Sequence, residues 1–232
     1  MTYSQHGEDD IIADLFSDRP PGYACEVGAG DGILFSNTMG LEMVGWTVLC
    51  IEPNPELFEA LKRRRKLVLQ VACSDQEANE VPFYLYHSAK LTHHNVIGVL
   101  QPLTEKFSRA FSPGNLKRTS LPVKVMTLDR ILEGAGFAKL DFLSIDVDGI
   151  ELCVLRGFDI KRWSPGAVLV ENPFDDQEIA DYFMDGNYRE YPDRLGDLND
   201  LWVSEELYEH ALAHWDAAVC GGKIFARTRF AR

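Results

Sequence analysis

The chain has 232 residues, 46% of them hydrophobic, and a formal net charge of -13. That length can bury one substantial core, so a single domain spanning 1–232 is expected. The acidic balance argues against the basic face that nucleic-acid binding needs. With no apolar run near ~18 residues and no apolar signal core at the N-terminus, a cytoplasmic protein without membrane contact is expected.

Ser4-Gln5-His6-Gly7-Glu8-Asp9 precedes Ile11, Ile12, Leu15 and Phe16, which share one helical face. Ser4 or an acid after it would cap this helix, and Glu8 and Asp9 suit its first turn. Arg19-Pro20-Pro21-Gly22 then turns into Tyr23-Ala24-Cys25-Glu26-Val27, a short apolar run of the kind found in buried parallel strands. The run breaks into Gly28-Ala29-Gly30-Asp31-Gly32. Alternate glycines permit positive φ and let the backbone approach a ligand closely. A strand feeding such a turn is a nucleotide cradle of open α/β sheets, though a tight turn without a ligand has the same local pattern. The spacing is not the Gly-x-Gly-x-x-Gly of dinucleotide folds. Glu26 stands where a pyrophosphate would be repelled and a cation attracted, which fits S-adenosylmethionine (SAM).

Ser36-Asn37-Thr38 opens a second helix closed by Gly45. Trp46 to Ile51 reads as a second buried strand, ending at Glu52-Pro53. A carboxylate at that tip is placed to grip a ribose diol; capping of the next helix is the alternative, with Pro53 as support. The following helix spans Glu56 to Arg65, and the basic run Lys62 to Lys66 reads as its solvated end. Leu67 to Ala72 is the third strand, with Ser74 and Asp75 at its tip facing an adenine. Val81 to Tyr86 alternates like an edge strand and Pro122 to Val125 is another short one. Between them, residues 87–121 read as an inserted lid or substrate-binding loop, an inert insertion being nearly as good an account. His93-His94 and Arg109 or Arg118 are available there for polar or anionic groups, and the two histidines lack a third ligand at zinc spacing.

Thr127 to Leu132 is a capped helix. Phe142 to Asp146 is the fourth strand, continuing into Val147-Asp148-Gly149-Ile150-Glu151 and an amphipathic helix through Leu152, Leu155 and Phe158. Ala167 to Val170 is the fifth strand, closed by Glu171-Asn172-Pro173. Gln177 to Met184 is helical, followed by a turn at Gly186-Asn187. Asp200 to Val203 and Gly222 to Arg227 are expected as final strands around a helix near Glu205 to Trp215. Cys25, Cys50, Cys73, Cys153 and Cys220 lie mostly in apolar runs without a Cys-x-x-Cys pair, as reduced thiols do. Acids thus stand at the carboxyl ends of strands one, two, four and five, the edge where such sheets bind ligands.

Taken together these stretches resemble the FkbM-type SAM-dependent methyltransferases. The resemblance rests on Ser4 to Asp9, Glu26 to Gly32, Ser36-Asn37-Thr38, Gly45-Trp46, Ile51-Glu52-Pro53, Thr127-Leu128-Asp129 and Ser144 to Glu151. It departs from the family pattern at Glu26, Gly30 and Asp148, which keep charge or size. It implies an α/β class I methyltransferase fold: a Rossmann-like, mostly parallel sheet with an antiparallel C-terminal strand, helices on both faces and an inserted lid. It also implies O-methylation of a sugar, polyketide-type or other small-molecule hydroxyl, with a homodimer as the assembly considered. The cofactor-binding set is Gln5, Glu26, Gly28, Ala29, Gly30, Asp31, Ser36, Asn37, Glu52, Pro53, Ser74, Asp75 and Asp146. Asp146, Asp148, His93 and His94 are the catalytic candidates. An NAD-dependent oxidoreductase, disfavoured by the glycine spacing, and a non-catalytic SAM-binding module are the alternatives.

A hydroxyl acceptor must lose its proton to a base or to a metal. Neighbouring strand tips lie ~4.8 Å apart, so Asp146, Glu171 and Asn172 could hold a Mg²⁺ ion with hard oxygen ligands. The simpler account makes Asp146 the base and leaves Glu171 and Asn172 to bind substrate.

Overall fold

The computed structural model describes residues 2–87, 96–103, 105, 116–192, 195 and 198–220, the side chains of 214–220 excepted. Strands and helices alternate in the first third of the chain. Helix α1 (Glu8–Leu15) leads to β1 (Tyr23–Val27), α2 (Met39–Met43), β2 (Thr47–Ile51), α3 (Pro55–Arg64) and β3 (Leu67–Leu69). Four strands follow: β4 (Ala72–Cys73), β5 (Ala78–His87), β6 (Val96–Val99) and β7 (Lys117–Met126). Alternation then resumes with α4 (Leu128–Gly134), β8 (Phe142–Ile145), α5 (Glu151–Arg156), α6 (Ile160–Trp163), β9 (Ala167–Glu171) and α7 (Gln177–Asp185). The hairpin-like pair β10 (Tyr188–Glu190) and β11 (Asn199–Ser204) and the helix α8 (Glu205–Cys220) complete it.

Seven strands form the main sheet in the order β10-β11-β9-β8-β1-β2-β3. Neighbours from β9 to β3 are parallel, and β11 runs antiparallel to both β9 and β10. The mostly parallel α/β sheet with an antiparallel C-terminal strand is therefore present, and Gly222 to Arg227 lie outside the described residues. Each central strand is buried on both faces, and its alternate residues divide between two cores. Cys25, Val27, Leu49, Ile51, Leu143, Ile145, Val168 and Val170 pack with α4, α5 and α7. Ala24, Val48, Cys50, Phe142, Ala167 and Leu169 pack with α1, α2, α3 and α8. The chain passes from β1 to β2 on one side and reaches β8 on the other, so a crevice opens at the carboxyl ends of β1 and β8.

Residues 87–121 are not simply a loop. The alternating segments pair as a second, four-stranded sheet in the order β4-β7-β5-β6, with its own core of Ala72, Phe83, Leu85, Val123 and Val125. Strand β5, expected at an edge, is interior, flanked by β7 and β6. Its alternation reports one buried face and says nothing of how many neighbours the strand has. The stretch read as one third strand splits after Leu69, and Ala72–Cys73 leaves for the second sheet beside Val125 and Met126. Pro82 and Pro122 face each other across the β5–β7 ladder.

The basic run at the end of α3 is the clearest correction. Arg65 leaves the helix in an extended conformation and its side chain is fully buried. Its Nη1 donates to Glu26 (3.2 Å), the Gly32 carbonyl (3.1 Å) and Ser36 Oγ (3.0 Å), its Nη2 to Thr38 Oγ1 (2.7 Å), and its Nε to Glu42. Lys62, Arg63 and Arg64 are exposed, as expected of a solvated helix end. Removing one partner of a buried ion pair leaves an uncompensated charge. Arg65→Met is expected to cost about 3–5 kcal/mol in denaturant unfolding, whereas Arg63→Met should stay within about 0.5 kcal/mol of wild type.

Candidate functional site

A cavity of about 230 Å³ fills the crevice, and its polar floor is the glycine turn. Gly28 and Ala29 both donate their N–H to the Ile51 carbonyl at 3.0 Å, which folds the turn across the end of β2. Gly28 sits at φ +84, and a Cβ there would lie 1.8 Å from the Asp146 carbonyl oxygen. Only glycine allows β1 and β8 to approach so closely. Gly30, at φ 55, donates to Glu52 Oε2 at 2.9 Å. Glu52 Oε1 accepts the Asn54 N–H at 2.8 Å. Phe35, also in the lining, holds a positive φ of 64 and is tied through its N–H to the Tyr3 carbonyl.

After β8 the chain turns through Asp146-Val147-Asp148-Gly149. The Glu151 carboxylate accepts from the Val147 and Gly149 N–H groups at 3.1 and 3.0 Å and so folds this loop from within. Asp148 takes φ 58, a conformation that aspartate tolerates better than bulky residues do. Carboxylate oxygens of Asp146, Asp148 and Glu171 lie within 4.8 Å of one another.

Of the residues singled out from the sequence, Glu26, Gly28, Ala29, Gly30, Glu52, Pro53, Asp146 and Asp148 line the cavity. Glu26 is nevertheless committed elsewhere. It accepts from Ser36 Oγ (2.9 Å), the Asn37 N–H (2.6 Å) and Thr38 Oγ1 (2.7 Å), and Arg65 balances its charge. Ser36 and Asn37 therefore brace the loop from behind rather than face the cavity, and the Asn37 amide donates to Ser144 Oγ. Asp31 caps the turn by accepting from Ile33 and Leu34 N–H and pairs with Arg64. Gln5 is exposed and outside the lining. Ser74 and Asp75 lie just beyond a wall made by Val71, Ala72 and Cys73, and bond to each other at 3.2 Å.

Asn172 does not join Glu171. Adjacent strand residues point to opposite faces, and the Asn172 amide accepts from the Asp176 N–H and donates to Asp200, both at 2.8 Å. Asp148, rather than Asn172, brings a third oxygen near Asp146 and Glu171. His93, His94 and Arg109 lie outside the described residues, and Arg118 lies over the Tyr84 ring. Sequence reasoning missed Glu151 as the builder of the Asp148 loop. It also missed the apolar wall of Leu34, Phe35, Leu57, Phe83 and Leu100.

The electrostatics are unusual in sign. Burial pushes Glu52 up to about 7, against hydrogen bonds from Asn54 and Gly30 that act the other way. Burial likewise raises Glu151 to about 7. Asp146 is exposed to the open crevice, and the surrounding loops desolvate it enough to raise it to about 6, opposed by a hydrogen bond with Glu171. Asp148 and Glu171 are pushed well above the carboxylate range by burial and then by the charge of Asp146. The contact between the two carboxyls lowers Asp146 and raises Glu171, and the buried Glu171 Oε2 has no hydrogen-bond partner among the described residues. No cationic side chain lines this cavity among the described residues.

Residues 26–193 match the family described as the methyltransferase FkbM domain. No curated protein matches the chain. Among solved structures, a TehB-like SAM-dependent methyltransferase from Corynebacterium glutamicum aligns at 12% identity and TM-score 0.42, over 86% of this chain and 88% of that one. A precorrin-6y C5,15-methyltransferase from Geobacter metallireducens aligns at 10% identity and TM-score 0.40, over 86% and 88%. A SAM-dependent methyltransferase from Aquifex aeolicus aligns at 11% and 0.39, over 84% and 87%.

A carboxyl whose folded pKa is raised binds a proton that the unfolded chain has already lost, so its contribution to stability falls as pH rises. For Glu151 the window runs from about 4.3 to about 7. Glu151→Gln keeps the acceptor for Val147 and Gly149. It is expected to raise the stability of the ligand-free protein by roughly 1–2 kcal/mol at pH 8 and to leave it unchanged near pH 4. Denaturant midpoints across pH check this.

Proposed function

Because the chain belongs to the methyltransferase FkbM domain family, we propose that its crevice binds SAM and passes the methyl group to a hydroxyl of a small-molecule acceptor. The observation that carries the reading is the convergence of Glu52, Asp146 and Asp148 on the glycine turn without a cation of their own. The donor supplies a methyl on a sulfonium, whose positive charge vanishes on transfer. Residues 1–232 act in this reading as one catalytic domain.

Glu52 has lone pairs left after its bonds to Gly30 and Asn54, and accepts the two hydroxyls of a ribose. The turn at Gly28 and Gly30 leaves room for the amino-acid end of the donor. Val71, Ala72 and Cys73 form an apolar slot for a base. Asp146 balances the positive end of the donor, with Glu26 behind the turn holding it in shape. Asp148, whose carboxyl is pushed up by desolvation and by the charge of Asp146 in the ligand-free site, becomes the proton acceptor for the acceptor hydroxyl once a cationic donor offsets the neighbouring negative charge. The expected insertion at 87–121 supports an acceptor subsite, since its Val96, Ile97, Gly98 and Leu100 wall the same cavity together with Phe83 of β5. Holding both reactants in line there supplies much of the rate advantage. Small-molecule acceptors are preferred to nucleic acid because the chain carries a net charge of -13. No helix among the described residues is long and apolar enough to cross a membrane.

A second reading adds a divalent cation such as Mg²⁺. Asp146, Asp148 and Glu171 present three hard oxygens within 4.8 Å of one another, and Glu171 Oε2 lacks a partner. A metal there would lower the pKa of the acceptor hydroxyl in place of a base.

In calorimetric titration the wild-type protein is expected to bind SAM and not NAD, and Glu52→Ala to weaken SAM binding by about 1.5–3 kcal/mol. Equal SAM affinity in a folded Glu52→Ala protein would remove the ribose role. Methyl transfer after exhaustive EDTA treatment separates the two readings: full activity leaves the base alone, and activity restored only by Mg²⁺, Mn²⁺ or Ca²⁺ establishes the metal.

A further inference from the structure

Four of the large hydrophobic side chains exposed among the described residues come from one stretch of chain: Ile33, Leu34, Met43 and Val44, the last two at 65% and 66% exposure. Hydrogen bonds tie the two pairs to common neighbours. On one side, the Tyr3 carbonyl accepts the Phe35 N–H at 3.0 Å and the Tyr3 hydroxyl donates to Met43 Sδ at 3.0 Å. On the other side lies the end of α3. Arg64 pairs with Asp31, whose carboxylate accepts from the Ile33 and Leu34 N–H groups. The Lys66 N–H donates at 3.1 Å to Glu42, the residue before Met43. Lys62, Arg63, Arg64 and Lys66 are all exposed. Glu59 and Asp31 pair with two of these four cations and leave two in surplus, in a chain whose net charge is -13. Apolar side chains exposed singly are ordinary, but a group of them rimmed by charge marks an interaction site.

We propose that this face docks on an anionic lipid bilayer, with the four apolar side chains entering the headgroup layer and the basic end of α3 meeting the lipid phosphates. Apolar area and cationic charge act together in proteins that lie on membranes, and one signal alone binds only marginally. The expectation of no membrane contact rested on spanning segments, which a surface contact does not need. The negative net charge is no obstacle, because charges more than ~8 Å from the bilayer are largely screened at physiological salt. A second copy of the chain fits less well, since an isologous contact would press the same surplus of positive charge against itself. A folded acidic partner would need a matching shape. A bilayer is fluid and takes side chains from a turn and from helix ends as they stand. Leu34 and Phe35 continue the apolar surface into the cavity wall, so a bilayer at this face adjoins the crevice. The docking goes beyond the methyl-transfer reading and is tested without it.

Flotation of the full chain with lipid vesicles tests this. Wild type is expected to bind vesicles of equal parts phosphatidylglycerol and phosphatidylcholine, to leave them as salt rises, and not to bind phosphatidylcholine alone. Two double variants divide the face: Met43→Ser with Val44→Ser, and Arg63→Gln with Lys66→Gln. Each should bind the anionic vesicles about tenfold more weakly. Met184→Ser, an exposed position on α7, should bind as wild type does. All five side chains are exposed, so unchanged unfolding midpoints are expected and confirm that the variants fold. Absence of binding by wild type, or binding that neither double variant weakens, overturns the proposal. Loss in the cation pair alone would assign the face to a soluble polyanion such as an acidic protein. Loss in the apolar pair alone would leave the lipid charge unread, and either result overturns the anionic bilayer. So does a wild-type dimer in analytical ultracentrifugation that Met43→Ser with Val44→Ser splits, since that gives the face to a second copy.

Discussion

A single buried guanidinium holds the loops at the carboxyl edge of the sheet. Arg65 joins Glu26 at the end of β1 to Glu42 on α2, and reaches the Gly32 carbonyl and the Ser36 and Thr38 hydroxyls on the way. Two carboxylates and one guanidinium leave a net negative charge in a dry place, which is tolerable because each of the four carboxylate oxygens accepts at least one hydrogen bond. The planar fork of arginine suits this work, and the point charge of lysine does not. Gly32 belongs to the same unit: a Cβ there would press to 2.7 Å of the Arg65 side chain. The glycine turn is thus held by its far side, leaving its near side open to a ligand.

That division explains how an acid-rich edge can fold at all. Glu26 and Glu42 share the charge of Arg65, whereas no cationic side chain among the described residues lines the cavity beside Glu52, Asp146 and Asp148. Crowded at one edge with Glu151 and Glu171, these acids are shifted upward, Glu52 and Glu151 chiefly by burial and Asp148 and Glu171 also by the charge of Asp146. Stability is given up at this edge and would be recovered by a cationic ligand, whose binding favours the folded state by mass action.

The second sheet governs what the crevice can exclude. Its core is small, five buried residues, but it places Phe83 and Gly98 against the cavity together. Gly98 is required there: a Cβ would stand 2.6 Å from the Phe83 ring. An aromatic face lying across a glycine gives a smooth apolar wall opposite a polar floor. Such a wall sheds water from the acids and strengthens every charge interaction within the site.

The amino-acid sequence by itself determined the strands and the order of motifs, because those signals are local. Apolar runs such as Phe142 to Ile145, the cap at Thr127 and the glycine turn after Val27 act within a few residues. The acids at strand ends were legible for the same reason, since every parallel strand sends its carboxyl end to one edge. Which acids are paired was not legible. Arg65 sits in a run of five basic residues, and only the extended exit from α3 turns it inward. Asn172 follows Glu171 directly, yet the pleat sends it to Asp200, and Asp148 meets Glu171 because a left-handed turn and Glu151 aim it back. The orphaned amide of Asn54 belongs with these. Its cap could be read from Asn-Pro-Glu, but that its Nδ2 finds no partner among the described residues depends on what the rest of the fold brings near, and that only the tertiary structure decides.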